Sequence, residues 1–181
     1  MTQIYIIGTD HNFQKGQGCH KEDVDVFKEY IHEMCDLTQA KAIGEEMSRE
    51  ALDEAGVKTS VCEVVANELT LRYCLCDPDR ATRQKLGIRQ ENDIRLEGFQ
   101  NDWAPEIVKK KISDEHRKRE EIWLSHIDNL YRYPVLFVCG ANHVKSFSDL
   151  LSGKGLRSQV LSEDWAPNQT MHRIADKSGS R

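Results

Sequence analysis

The sequence predicts one α/β domain on a largely parallel central sheet of about five strands flanked by helices, with an irregular or helical insertion near residues 81–112. Three observations predict it. Residues 4–7 and 135–139 are short, apolar, β-branched runs without the alternation of a half-exposed strand, so both read as strands covered on two faces. Each run ends near a glycine that delivers a histidine three residues on, as Gly8-Thr9-Asp10-His11 and Gly140-Ala141-Asn142-His143. Between them, amphipathic segments at helical spacing alternate with shorter apolar runs, the pattern that supplies parallel crossovers.

The first histidine leads into a polar stretch, residues 12–20, whose Gly16 and Gly18 predict a loop. Val24, Phe27, Ile31 and Met34 then recur at helical spacing and predict a helix over residues 21–37. Residues 40–43 read as a second strand, closed by Gly44-Glu45-Glu46, so a strand end again presents polar side chains. Those carboxylates suit either the first turn of the next helix, where they complement the dipole, or a site. Residues 47–57 and the stretch from Val61 to Leu69 predict two further helices, the second capped by Thr59 or Ser60.

Residues 72–76 form the third predicted strand, and Pro78 holds Asp77 out of helical conformation at its end. Asp77 therefore either caps the following helix or enters the site. Residues 81–112, punctuated by Gly87, Gly98 and Pro105, predict a cover over the strand ends, with Trp103 packed into or over the pocket. A long helix follows over 112–130, its packing face set by Ile122, Trp123, His126, Ile127 and Leu130. Arg117, Lys118 and Arg119 on its first half read as a solvated face from which one arginine can turn inward to hold an anion or a carboxylate. After the fourth strand, residues 144–151 predict a helix and 158–161 a last strand. The expected domain spans residues 1–176, with 177–181 a frayed tail.

Composition narrows the functional classes. At 181 residues, 39% hydrophobic and 30% charged, the chain suits one buried core. A net charge of −5 and a pI near 5.8 argue against nucleic acid as the main partner, and no run approaches the roughly 20 apolar residues of a membrane span. The six cysteines lack zinc-site spacing, and Cys35, Cys62, Cys74, Cys76 and Cys139 fall in predicted helices and strands, so a cytoplasmic protein is expected. Only Cys19, beside His20, reads as a surface thiol.

A first strand ending in G-x-x-H, a second ending in glutamate, an arginine-bearing helix and a late strand ending in G-x-x-H, followed by a Leu-Leu-x-x-x-Gly helix, resemble the superfamily uniting TraB/PrgY, TIKI, ChaN-like and erythromycin-esterase-like proteins. The resemblance implies an α/β cleft into which His11, Glu45 or Glu46, Arg119 and His143 converge. Asp77-Pro78 and residues 81–112 have no counterpart in its motifs. The chemistry it implies ranges over metal-dependent peptide cleavage, ester hydrolysis and haem binding.

Two imidazoles and a carboxylate, His11, Glu45 and His143, make an incomplete ligand set for a divalent metal. A metal so held activates its water while Arg119 steadies the developing anion; without metal, one histidine acts as general base and the glutamate orients water. The expected activity is hydrolysis of an ester, amide or phosphate bond in a small molecule or peptide, with Asp77 a further candidate. The alternative is a module that binds a ligand or haem in the same cleft without turnover. Self-association stays open. Because His143 lies three residues beyond its strand's glycine, it is expected outside the buried core.

Overall fold

The structure is a computed structural model and describes residues 2–167. The expected domain end at 176 and tail at 177–181 lie outside the described residues. Five strands, β1 (Gln3–Thr9), β2 (Ala42–Glu45), β3 (Arg72–Leu75), β4 (Val135–Gly140) and β5 (Arg157–Trp165), form one sheet in the order β3-β2-β4-β1-β5. Every pairing is parallel, as the unalternated apolar runs predict. β4 is buried at all six positions, and it lies between β1 and β2 at the middle of the sheet.

Alternation along the strands divides the core in two. Ile7, Ile43, Leu136 and Val138 pack on α2 (Lys21–Thr38) and α4 (Val61–Glu68). Ile4, Ile6, Val135 and Phe137 pack on α7 (Pro105–Asp128) and α8 (Val144–Gly153). β1 and β2 thus lead into helices on one face, while β4 leads into α8 on the other. Chains that leave neighbouring strand ends toward opposite faces open a crevice, the general ligand position in open parallel sheets. The register sets Thr9 beside Gly140 and Glu45 beside Val138, so both G-x-x-H turns and the glutamate pair meet there.

Several elements differ from the sequence reading for local reasons. Residues 12–20 are not all loop: His11 opens a short helix, α1 (His11–Lys15), which Asp10 caps by accepting from Asn12 N–H at 2.7 Å. Gly16, at φ +66°, ends it in the left-handed conformation that glycine adopts without strain. α3 (Arg49–Glu54) is shorter than residues 47–57, because Ser48 is its cap and Gly56 lies in the turn beyond. The insertion near 81–112 is helical: α5 (Arg80–Lys85), α6 (Glu91–Gln100) and the first turns of α7. α7 begins at Pro105, where a missing N–H costs nothing, so it is a turn and more longer than expected. β5 runs on to Trp165, which packs against Phe13, Phe27 and Tyr30.

All six cysteines are free, and burial pushes the Cys62, Cys76 and Cys139 thiols well above their ordinary range, so these three behave as small apolar side chains. No helix among the described residues is long and apolar enough to cross a membrane.

The two motif glycines serve different needs. A Cβ on Gly8 would fall 2.0 Å from the Glu163 carbonyl oxygen and 2.4 Å from Val144 Cγ2, a clash with backbone that only a shift of β5 relieves. A Cβ on Gly140 would fall 3.0 Å from His11 Nε2 and 3.3 Å from Glu46 Oε2, inside the crevice. Gly8→Ala should therefore cost about 3 kcal/mol of stability or more, and Gly140→Ala distinctly less, in urea denaturation of the two variants. Equal losses would contradict this division between a packing glycine and a site glycine.

Candidate active site

Glu46 follows the last residue of β2, and strand alternation decides where it points. Ile43 and Glu45 share the α2/α4 face, so Glu46 turns to the other side and into the crevice. There its Oε2 accepts from Gly140 N–H at 2.8 Å, and its Oε1 accepts from Arg119 Nη2 at 2.7 Å. His143 Nε2 stands 3.6 Å and His11 Nε2 3.8 Å from the same Oε1. Burial alone would push the Glu46 carboxyl up, but His143, His11, Arg119 and the Gly140 N–H together hold it below its usual range. It is an ionised group at neutral pH.

Each imidazole is tied from behind through Nδ1. His143 Nδ1 lies 3.1 Å from Glu120 Oε1, a fully buried carboxylate that also accepts from Ser146 Oγ and lies 3.3 Å from Arg117 Nη1. His11 Nδ1 lies 2.6 Å from Gln14 Oε1, and Gln14 Nε2 reaches Glu45 Oε2 and the Val138 carbonyl, each at 3.4 Å. Because Gln14 Nε2 has two acceptors, its Oε1 faces the histidine, and the Nδ1 proton goes to that oxygen. Both neutral rings therefore carry the proton on Nδ1 and turn an Nε2 lone pair to the crevice.

Glu45 does not join this group. Its carboxylate lies on the opposite face, where Ser60 Oγ and Tyr73 OH both donate to Oε1. Burial raises its pKa against those hydrogen bonds and that of Gln14. Its reach to His11 is indirect, through Gln14. The ligand set His11, Glu45 and His143 is thus not assembled, and no group of three or more His, Cys, Asp or Glu among the described residues is arranged to hold a metal ion. Nor does Glu46 substitute freely, since its histidine-facing oxygen already accepts from a guanidinium.

Asp77 does not cap the helix that follows. Asp79, not Asp77, caps α5, accepting from Thr82 N–H at 2.7 Å. Asp77 Oδ1 instead accepts from Arg119 Nε and from Trp123 Nε1, both at 2.9 Å. Burial disfavours the Arg119 charge, but Glu46 and Asp77 outweigh it and raise its pKa, so Arg119 is a fixed cation between two carboxylates. With Nε and Nη2 engaged, it holds Glu46 in place more directly than it faces a substrate.

His11, Glu46, Arg119 and His143 line one cleft of about 470 Å³, within the usual range for small-ligand sites. Arg89, Gln90, Glu91 and Ile94 form its far wall, so the insertion does cover the strand ends. Trp103 is the exception. It packs inside the α6–α7 hairpin, beside Gly98 and under Lys111 Nζ at 4.6 Å from its ring centroid, and does not line the cleft. His143 is also unlike its expectation: only 5% exposed, it packs 4.8 Å from the Trp123 ring and 4.2 Å from that of His116. The short helical turn Ala141–His143 brings it back over β4 and into the core.

Sequence reasoning missed Gln14, Glu120 and His116. A signal existed for two of them. Ile112, His116, Glu120, Trp123 and Ile127 recur three and four apart, so His116 and Glu120 share the buried stripe of α7 despite the charged run around them. Comparison with known proteins finds no matching family model, no matching curated protein and no matching solved structure.

The two adjacent glutamates should respond oppositely to replacement and to pH. Glu46→Gln leaves Arg119 buried beside a neutral partner and should cost roughly 3 kcal/mol at pH 7. Because the folded Glu46 pKa is depressed, its contribution is present above the unfolded value of about 4.3 and lost as pH falls through the folded one. Acid unfolding of Glu46→Gln should therefore be shallower than that of the parent. Glu45 has a raised folded pKa, so the stability tied to it is complete below about 4.3 and is lost as pH rises through the folded value. Glu45→Gln should gain on the parent with rising pH. Denaturant titrations across pH 3 to 8 measure both, and parallel profiles for the two variants would overturn the assignment.

Proposed function

We propose that the chain is a small cytoplasmic hydrolase that cleaves an ester, amide or phosphate bond by activating water between His11 and His143. The observation that carries this reading is the meeting of two imidazole Nε2 atoms, 3.8 and 3.6 Å away, on one ionised carboxylate oxygen of Glu46. Separations of that size are too long for direct hydrogen bonds and short enough for one water on Glu46 to reach a ring. The six free thiols suit a reducing compartment. Resemblance to the TraB/TIKI superfamily through the paired G-x-x-H turns belongs to the same proposal.

In this mechanism Glu46 accepts one hydrogen of the water and holds its oxygen toward the bond to be cleaved. His11, with a side chain 44% exposed, has the freedom to take the second proton as the oxygen attacks. His143, fixed by Glu120, receives that proton from His11 through water held between the two rings and delivers it to the leaving group as the bond breaks, so both rings end the cycle neutral. Glu120 stabilises the imidazolium so formed, and Gln14 keeps the His11 Nδ1 proton out of the cleft. The ionised Glu46 beside both rings offsets part of the cost of separating charge in a covered site. No step needs a metal.

The cleft lining favours a small polar substrate over a flat apolar macrocycle such as haem. Charged and amide side chains dominate it, with Ile94 and Ile112 the main apolar contributors.

Purified protein should hydrolyse at least one class among chromogenic carboxylic esters, anilides and phosphate monoesters. His11→Ala and His143→Ala should each lower kcat/KM by about 100-fold or more, as loss of a general acid or base does. Melting separates the two: His11→Ala should melt near the parent, while His143→Ala should lose roughly 1–3 kcal/mol because it empties a packed site and strands Glu120. Full activity in both variants, or none in the parent on any class, would refute the reading.

A further inference from the structure

The residues of the cleft are also the wall of a second cavity. His11, Glu46, Arg83 and Arg119 line both the large cleft and a smaller annex of about 200 Å³, so they form a ridge between the two. Beyond the ridge, the annex is closed by Lys15 at the end of α1, by Asp77, and by Ser48 and Ala51 of the α3 start.

Charge differs across the ridge. Five carboxylates, Asp10 and Asp164 among them, face three cations in the large cleft. In the annex three cations, Lys15, Arg83 and Arg119, face two carboxylates, Glu46 and Asp77. Those carboxylates are already engaged, Glu46 by Arg119 and the Gly140 N–H and Asp77 by Arg119 and Trp123.

Two of the cations are not engaged to the same degree. Among the described residues the Lys15 side chain makes no hydrogen bond or ion pair, and Lys15 lines the cavity. Arg83 is mostly buried, yet its nearest carboxylate oxygen, Asp77 Oδ2, is 4.0 Å from Nη1, and its Nε is buried without a hydrogen-bond partner. A guanidinium that gives up water without completing its hydrogen bonds is costly, and a planar fork beside a cavity suits a two-oxygen acceptor. Ser48 Oγ accepts from Ala51 N–H and so has its hydroxyl hydrogen to donate.

We propose that the annex is an oxyanion subsite, in which Lys15, Arg83 and Ser48 hold a carboxylate or phosphate group of the substrate. The substrate then lies across the ridge, its anionic end in the annex and its scissile bond over Glu46, with the larger remainder in the cleft. The electronegative cleft takes that remainder through its hydrogen-bond donors or a positive charge. This assignment rests on the proposed hydrolase reading for the word substrate, but the subsite itself is testable without turnover.

The test titrates the full chain with inorganic phosphate and, separately, with acetate, at constant ionic strength against chloride, following backbone amide shifts. The annex account expects saturable shifts around Lys15, Ser48 and Arg83 for at least one anion, and the tighter anion identifies the group. Lys15→Glu, a partly exposed position that leaves the core intact, should weaken that binding about tenfold or more, and Arg83→Lys should weaken it while keeping the charge. No saturable binding of either anion, or binding unchanged in both variants, overturns the subsite. If annex binding holds and no substrate class is hydrolysed, the subsite stands and the hydrolase reading falls. If hydrolysis occurs and the anions bind indifferently to both variants, the subsite alone falls.

Discussion

A buried carboxylate is the constraint on which the rest of the site depends. Glu46 is 3% exposed just beyond the carboxyl end of β2, a position where a lone negative charge would cost several kcal/mol. It is retained because the Gly140 N–H from β4 and the Arg119 guanidinium from α7 donate to it, while His143 from the turn after β4 and His11 from the start of α1 add compensation whenever either ring carries its second proton. Supplying those groups fixes much of the architecture around the crevice. Gly140 must lack a side chain, α7 must cross the strand ends at Arg119, and Asp77 must hold the other edge of that guanidinium. Removing any one compensator exposes the cost of the others, so the cluster acts as a unit.

Beneath it lies a second buried carboxylate with a different compensation. Glu45 has no cation beside it, and the hydroxyls of Ser60 and Tyr73, the Cys62 thiol and the amide of Gln14 donate to it instead. Burial raises its pKa and, with the Glu45 carboxyl itself, pushes that of Tyr73 up as well. Two consecutive glutamates thus sit on opposite faces with opposite pKa shifts. They are joined only through Gln14, which passes orientation and not charge from one face to His11. Separation of environments for like groups is how one fold keeps a carboxylate ionised for electrostatics and another for holding a side chain.

Much of this was legible in the sequence because a parallel sheet writes itself plainly. Unalternated runs at 4–7 and 135–139 could be buried only on both faces, and the glycines that end them mark where the backbone approaches something. Period two also contains the distinction between Glu45 and Glu46, since Ile43 already assigns odd positions of β2 to one face. What hid the rest was long-range partnership. The charged text of α7 reads as a solvated face until the stripe through Ile112, His116, Glu120 and Trp123 is followed across it. Trp103 reads as a lid residue because a lone aromatic in a polar stretch carries no mark of its partner, here the side-chain-free surface of Gly98 and the ammonium of Lys111. His143 looked exposed because chain distance from a strand says nothing about a turn that folds back.

Water activation between the rings requires both histidines to be acceptors at Nε2, held so by Glu120 and Gln14. The most direct measurement is the nitrogen-15 chemical shifts of the imidazole rings, taken above the titration of each ring in uniformly labelled protein. His11 and His143 should both appear as Nδ1–H tautomers, and Gln14→Ala should release His11 to the tautomer mixture of a free imidazole while His143 is unmoved. Nε2–H tautomers at His11 or His143 in the parent would contradict it, because the lone pairs would then face away from Glu46 and no water held there could be activated.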